Sequence, residues 1–165
     1  SADLTALSRI PIGVVCAGAK AILDLPRTVE MLETLGVPVF GLRTNEFPAF
    51  YRRSSGLSVD SRMDTIEELA SALRTHLALG LGTGVLIANP IPASDELPAE
   101  TYEQALETAL SDAARQGLRG RGVTPFLLER LRALSGGESL RANLALLTNN
   151  ARVAAELARA LAQSR

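Results

Sequence analysis

Three short runs rich in β-branched and apolar residues, 12–16 (IGVVC), 37–42 (VPVFGL) and 83–88 (TGVLIA), most constrain what this chain can fold into. Each is too short and too continuous for an amphipathic helix and reads as a strand buried on both faces. Helical patterns separate them. Residues 27–35 carry Val29, Leu32 and Leu35 at helical spacing and stop at Gly36, a residue suited to a helix C-terminus. Asp64, with Glu67 three residues on, reads as a capping-box start to a helix running through Leu69, Leu73 and Leu77. Strands alternating with helices predict an α/β fold with a mostly parallel sheet.

The second half changes character. Beyond Asn89-Pro90-Ile91-Pro92, a proline-punctuated loop at a strand's carboxyl end, helix signals dominate over 98–115, 124–134 and 138–162. On the last of these Leu140, Leu144, Leu147, Ala151, Ala154, Ala158 and Leu161 recur in steps of four and three. That pattern predicts a buried stripe, packed on a sheet or on a neighbouring subunit. Residues 1–165 hold enough apolar material for one compact domain, or a large piece of one. Ser1 stands where a methionine would open a chain, and three strands make a narrow sheet for this much helix. Both features point to a longer protein whose first part supplies further strands.

Charge and cysteine usage exclude several functions. The formal net charge is −1 and the 17 basic residues form no patch among the 18 acidic ones, which argues against nucleic acid as a partner. Cys16 is the only cysteine, so no disulfide framework exists and a cytoplasmic address is favoured. A small buried hydrophobe is its default role. No apolar run approaches the roughly 20 residues of a membrane helix.

Of the 17 basic residues, 16 are arginine and Lys20 is the only lysine. Arginine is always charged, whereas a desolvated lysine can act as a neutral, nucleophilic amine. The strand at 12–16 runs into the small-residue turn Ala17-Gly18-Ala19, so Lys20 falls just past the carboxyl end of a core strand. Open α/β sheets bind their ligands there. Small neighbours admit a substrate, and apolar surroundings favour the neutral amine.

Other candidates divide between ligand binding and structure. The first amides of the last helix, after Ser135-Gly136-Gly137, could hold a phosphate, although Gly136 more simply caps the preceding helix. Arg43, Thr44 and Tyr51 follow a strand end and could reach the same site, with a solvated surface charge as the commoner fate of Arg43. Asn143 and Asn150, seven apart on the last helix, read as boundary residues, and Asp3 as the N-cap of a short helix. His76 is the only histidine and is read as structural or surface.

The segments SADLTAL, VVCAGAKAILDLPRTVEMLETLGVPVFG, TNEFPAFYRRSSG, LIANPIP, VTPFLLERL and SGGESLRANLALLTNNARVAAELA, in this order, carry a resemblance over essentially the whole chain. It resembles the C-terminal half of the pseudouridine-5′-phosphate glycosidases, the indigoidine synthase A-like family. The resemblance implies an α/β/α sandwich with a helix-rich C-terminal part, commonly assembled as a homotrimer. It implies reversible cleavage of the C–C glycosidic bond of pseudouridine 5′-phosphate to uracil and ribose 5-phosphate. It maps the family's Schiff-base lysine onto Lys20, a substrate-binding stretch onto Ser1, Ala2 and Asp3, and an active-site asparagine onto Asn143. Manganese is the implied metal, with its aspartate ligand expected two positions before Ser1. The implied general-acid glutamate belongs to an N-terminal half, so neither a metal ligand nor that acid is expected here. Two other readings stay open. One is a lysine aldolase on another sugar phosphate, the other a structural or oligomerising piece inactive without its N-terminal half.

Overall fold

The computed structural model describes residues 2–20, 24–119 and 122–163. Four strands, β1 (Gly13–Cys16), β2 (Val39–Leu42), β3 (Ser61–Met63) and β4 (Val85–Ala88), form one sheet in the order β1-β4-β2-β3, every neighbouring pair parallel. Among the described residues six α-helices accompany them: α1 (Ala2–Leu7), α2 (Leu25–Thr34), α3 (Ile66–Ala78), α4 (Ala99–Arg115), α5 (Val123–Leu134) and α6 (Glu138–Gln163). No described helix is long and apolar enough to cross a membrane.

Alternation along the strands builds two apolar layers. Val14, Cys16, Val39, Leu86 and Ala88 pack with Leu7 and Leu32 under α1 and α2. Val15, Phe40, Leu42, Val85 and Ile87 meet Leu69 and Leu73 of α3 and Val153 and Leu157 of α6. The result is the expected α/β/α sandwich. A third cluster lies beyond the strands' carboxyl ends and joins Ala17, Tyr51 and Ile91 to Tyr102, Leu131, Ala142 and Leu146 of the last three helices. Asp112 ties α4 to α5, accepting hydrogen bonds from Arg115 and Arg130 that hold its carboxyl below the usual carboxylate range.

Several local expectations need correction. The sheet has a fourth strand: β3 is polar, with Ser61 and Arg62 exposed, and so lacks the apolar signal of the other three. The capping box at α3 is formed by Thr65 and Glu68, whose side chains and backbone amides bond reciprocally, one residue beyond the Asp64 and Glu67 pair. Asp3 lies inside the first turn of α1, which begins at Ala2, and so is not its N-cap. His76 needs no such correction, since it is buried in a structural place as one of its two readings had it, its Nε2 3.0 Å from the Thr83 carbonyl oxygen.

The largest correction concerns α6. Its buried face is Ser139, Ala142, Leu146, Val153 and Leu157. Most of the stripe expected to be buried points outward in this chain, with Leu140, Leu144, Leu147, Ala151, Ala154 and Ala158 exposed, while its last member, Leu161, packs against the core as expected. Leu146→Ala should therefore destabilise the chain by about 2–5 kcal/mol. Leu144→Ala, at 59% exposure, should change stability by no more than about 0.5 kcal/mol. Urea unfolding of the two variants checks the assignment, and equal losses would reverse it.

Candidate active site

The carboxyl ends of β1, β2 and β4 release three loops on one side of the sheet, and these loops are bonded into a single unit. The loop 43–60 is closed on itself by the Phe47 amide donating to the Leu57 carbonyl (2.7 Å) and by Glu46, which accepts from Ser54, Ser55 and Gly56. Phe47 and Pro48 are fully buried and anchor it. From there the chain crosses the end of β1. Gly18 and Ala49 form an antiparallel bridge, and the Phe50 amide donates to the Ala17 carbonyl at 3.0 Å. This approach requires glycine at position 18: its φ is +79°, and a Cβ there would stand 1.6 Å from the Pro48 carbonyl oxygen.

The same loop then grips the segment after β4. Arg53 donates to the Ile91 carbonyl (2.5 Å), Arg52 donates to the Leu97 carbonyl (2.8 Å), and the Arg53 amide donates to Glu96 (2.9 Å). Helix α6 holds that segment from the other side. Asn89, buried at the end of β4, donates from Nδ2 to Asn150 Oδ1 (2.9 Å), and Asn149 donates to the Pro90 carbonyl (3.3 Å).

Lys20 stands at this junction, half-buried, with Nζ 5.5 Å from the centroid of the Phe50 ring. Among the described residues no carboxylate pairs with it. Burial pushes the neighbouring Cys16 thiol up to about 11, against a smaller opposing pull from the Gly18 backbone. Cys16 is thus a poor nucleophile near neutral pH. Asn143 is half-buried on α6, next to Ala142, which belongs to the same apolar cluster as Tyr51 and as Ala17, three residues before Lys20. No group among the described residues hydrogen-bonds its carboxamide. Ala2 and Asp3 open α1, and the adjacent Leu4 packs in the cluster that holds Ala19 and Leu25. Ser1 lies outside the described residues.

The phosphate candidates are otherwise engaged. Arg43 donates from Nε to the Asp64 carbonyl (3.1 Å), and the Thr44 hydroxyl bonds within its own turn to Glu46. Tyr51 is buried, which pushes its phenol up, with a smaller opposing effect from a hydrogen bond to Ser139. Gly136 and Gly137 close α5 by donating to Ala133 and Arg132 carbonyls. The first amides of α6 already bond to Ser135 and Gly137. No three His, Cys, Asp or Glu side chains among the described residues are grouped as a metal site. Sequence reasoning passes over Phe50 and Asn89. The position of Asn89 at a strand end was a usable signal, whereas the role of Phe50 depends on a backbone turn that no pattern reveals.

Gly18→Ala should separate the two loops. We expect a loss of at least about 2 kcal/mol in unfolding stability and faster proteolysis within 43–60. An unchanged urea midpoint would mean that the close approach is not needed.

Comparison with known proteins adds relatives to this geometry. Residues 1–160 match the family described as indigoidine synthase A like protein. A protein named pseudouridine-5′-phosphate glycosidase from Methylobacterium nodulans is 56% identical over 165 residues, covering 100% of this chain and 49% of that protein. One of the same name from Caldanaerobacter subterraneus subsp. tengcongensis is 56% identical over 158 residues, covering 96% and 52%. The crystal structure of the prealnumycin C-glycosynthase AlnA in complex with ribulose 5-phosphate superposes with a TM-score of 0.91 at 37% identity, covering 99% of this chain and 54% of that one. An indigoidine synthase A-like protein from Thermotoga maritima superposes with a TM-score of 0.85 at 38% identity, covering 100% and 54%. This chain thus spans about half the length of the curated relatives it matches. With a family match over nearly every residue and a shared sandwich, the chain belongs to the indigoidine synthase A-like family.

Proposed function

We propose that this chain carries the nucleophile of a pseudouridine-5′-phosphate glycosidase, which releases uracil and ribose 5-phosphate through an imine on Lys20. One observation carries the reading: the only lysine lies just past the carboxyl end of β1, unpaired with any described carboxylate and beside an aromatic face. The names of the relatives support the substrate, and the ribulose 5-phosphate bound to AlnA supports a pentose phosphate as the sugar half.

Carbon-linked uracil cannot depart as a free carbanion at reasonable cost, so the bond must be weakened first. In the proposed course the neutral Lys20 amine adds to C1′ while the C1′–O4′ bond breaks and O4′ takes a proton, opening the ribose. The ammonium so formed loses a proton, the freed nitrogen lone pair forms C=N as the C1′–C5 bond breaks, and C5 of the departing uracil takes up a proton. Water adds to the imine and returns the free amine and ribose 5-phosphate. One inaccessible step becomes several accessible ones. Asn143, with unused hydrogen-bonding capacity beside the site, and Ser1, Ala2 and Asp3 of the SAD segment are the proposed substrate contacts. The proton for O4′ and any manganese would be held by residues outside this sequence, and no step above is routed through the metal.

The same reading gives this chain a partner. We infer that the remaining half of the relatives' length covers the open edge of β1. That strand pairs only with β4 among the described strands, its four residues are each half-buried, and Ile10 and Ile12 beside it are 50% and 48% exposed.

The test joins this chain to that half and supplies ribose 5-phosphate followed by borohydride. A reduced adduct should appear on Lys20 by intact mass and peptide mapping. Lys20→Arg should abolish it and lower cleavage of pseudouridine 5′-phosphate at least about a thousandfold. Cleavage-competent protein without an adduct at Lys20 would refute the mechanism. Absence of cleavage with turnover of an aldol substrate would refute the substrate.

A further inference from the structure

The backbone of Phe50 is unusual for an aromatic residue. Its φ is +64°, in the left-handed region that glycine enters freely and bulky residues rarely occupy. Gly or Asn would satisfy this turn without strain, so the backbone does not call for a phenylalanine, although the ring also packs against the interior cluster. What the conformation achieves is the direction of the ring. The amide of Phe50 is fixed to Ala17, three residues before Lys20, and the ring lies under Nζ at 5.5 Å.

The ring is also braced from behind. It meets Tyr51 edge-on at 4.8 Å between centroids and 75° between planes, and Tyr51 meets Tyr102 of α4 at 5.9 Å and 66°. Tyr51 and Tyr102 are both buried. Three rings therefore run from the interior cluster outward, and the last presents its electron-rich face to the only lysine.

We propose that Phe50 is a positioning residue that holds Lys20 Nζ over its ring and stabilises the positive charge that this nitrogen acquires as the imine forms. Lysine has a long, freely rotating stem, and no described carboxylate fixes its end. A ring face supplies direction without a neutralising anion. The charge appears in the step where the nitrogen lone pair enters C=N and the uracil bond breaks, so attraction to the ring acts in the transition state. This inference rests on Lys20 being the imine-forming lysine.

The test uses the chain joined to the remaining half of the relatives' length. Phenylalanine at position 50 is replaced by mono-, di- and trifluorophenylalanine, which progressively weaken the ring's negative face with little change of shape. Turnover of pseudouridine 5′-phosphate should fall steadily along the series, by roughly three- to tenfold overall, with KM within about twofold. Phe50→Tyr should keep wild-type turnover and Phe50→Leu should lose it to at least the same extent. A flat fluorination series, with the borohydride adduct still forming on Lys20, would overturn the role of Phe50 alone. An unmodified Lys20 in the active wild type would overturn the reading beneath it. Should Phe50→Leu fail to fold, the fluorinated proteins decide the matter.

Discussion

The Pro48 carbonyl oxygen occupies the space where any side chain at position 18 would begin. This contact lets two loops from different strands lie against each other as a short antiparallel pair, with Ala17 accepting from Phe50 and Gly18 opposite Ala49. Everything that surrounds Lys20 follows from it. The direction of the lysine stem, the ring beneath its end and the contact of Ala17 with the interior all depend on the loop from β2 crossing the end of β1. The crossing is maintained by burial of Phe47, Pro48 and Tyr51, whose apolar area offsets the cost of the left-handed residue between them.

The charged residues around the site are used in a particular way. Arg52 and Arg53 direct their guanidinium groups at carbonyl oxygens of the segment after β4, and that segment's one carboxylate in reach, Glu96, is engaged by both. These arginines join loops to one another and leave Lys20 alone. A carboxylate at salt-bridge distance from an amine favours its protonated form, which cannot attack carbon. A ring attracts the cation more weakly than a carboxylate does, and the hydrogen bonds between Asn89 and Asn150 and from Asn149 to Pro90 join the segment after β4 to α6 without adding charge.

Legibility in the sequence followed the strength of the local signal. The three apolar strands were readable because each forms a continuous run, although β1, at the edge of the described sheet, is only half-buried, and the small-residue turn after it located Lys20. Strand β3 escaped because an edge strand with Ser61 and Arg62 in solvent has no such run. Both Asp64 with Glu67 and Thr65 with Glu68 satisfy the capping-box spacing, and the hydrogen bonds, which favour the second, are not visible in the letters. Helix α6 misled for a different reason. Leucine and alanine lie on two of its faces, so the periodicity announces a helix without saying which face the sheet takes. Burial of Ala142 and Leu146 in the cluster that holds Ala17 and Ile91 decided it. The aromatic series ending at Phe50 was out of reach, since it joins residues of two segments through a backbone angle.

The open sides of the fold bear on the chemistry. Lys20 follows β1, which is the terminal strand of the sheet among the described strands, and its amine lies against the Phe50 ring of the loop after β2. A ring-opening reaction needs an acid near O4′ at the moment the amine attacks, and an imine that must survive until uracil departs needs water excluded in that interval. Neither requirement is met by an edge. Both are met if further polypeptide extends the sheet beyond β1 and brings its acid against the face of the sugar opposite Phe50. On this view the reactive centre lies at the seam between the two halves of the relatives' length. Under the proposed mechanism this chain would supply the nucleophile, beside an aromatic ring, and the further polypeptide the proton donor.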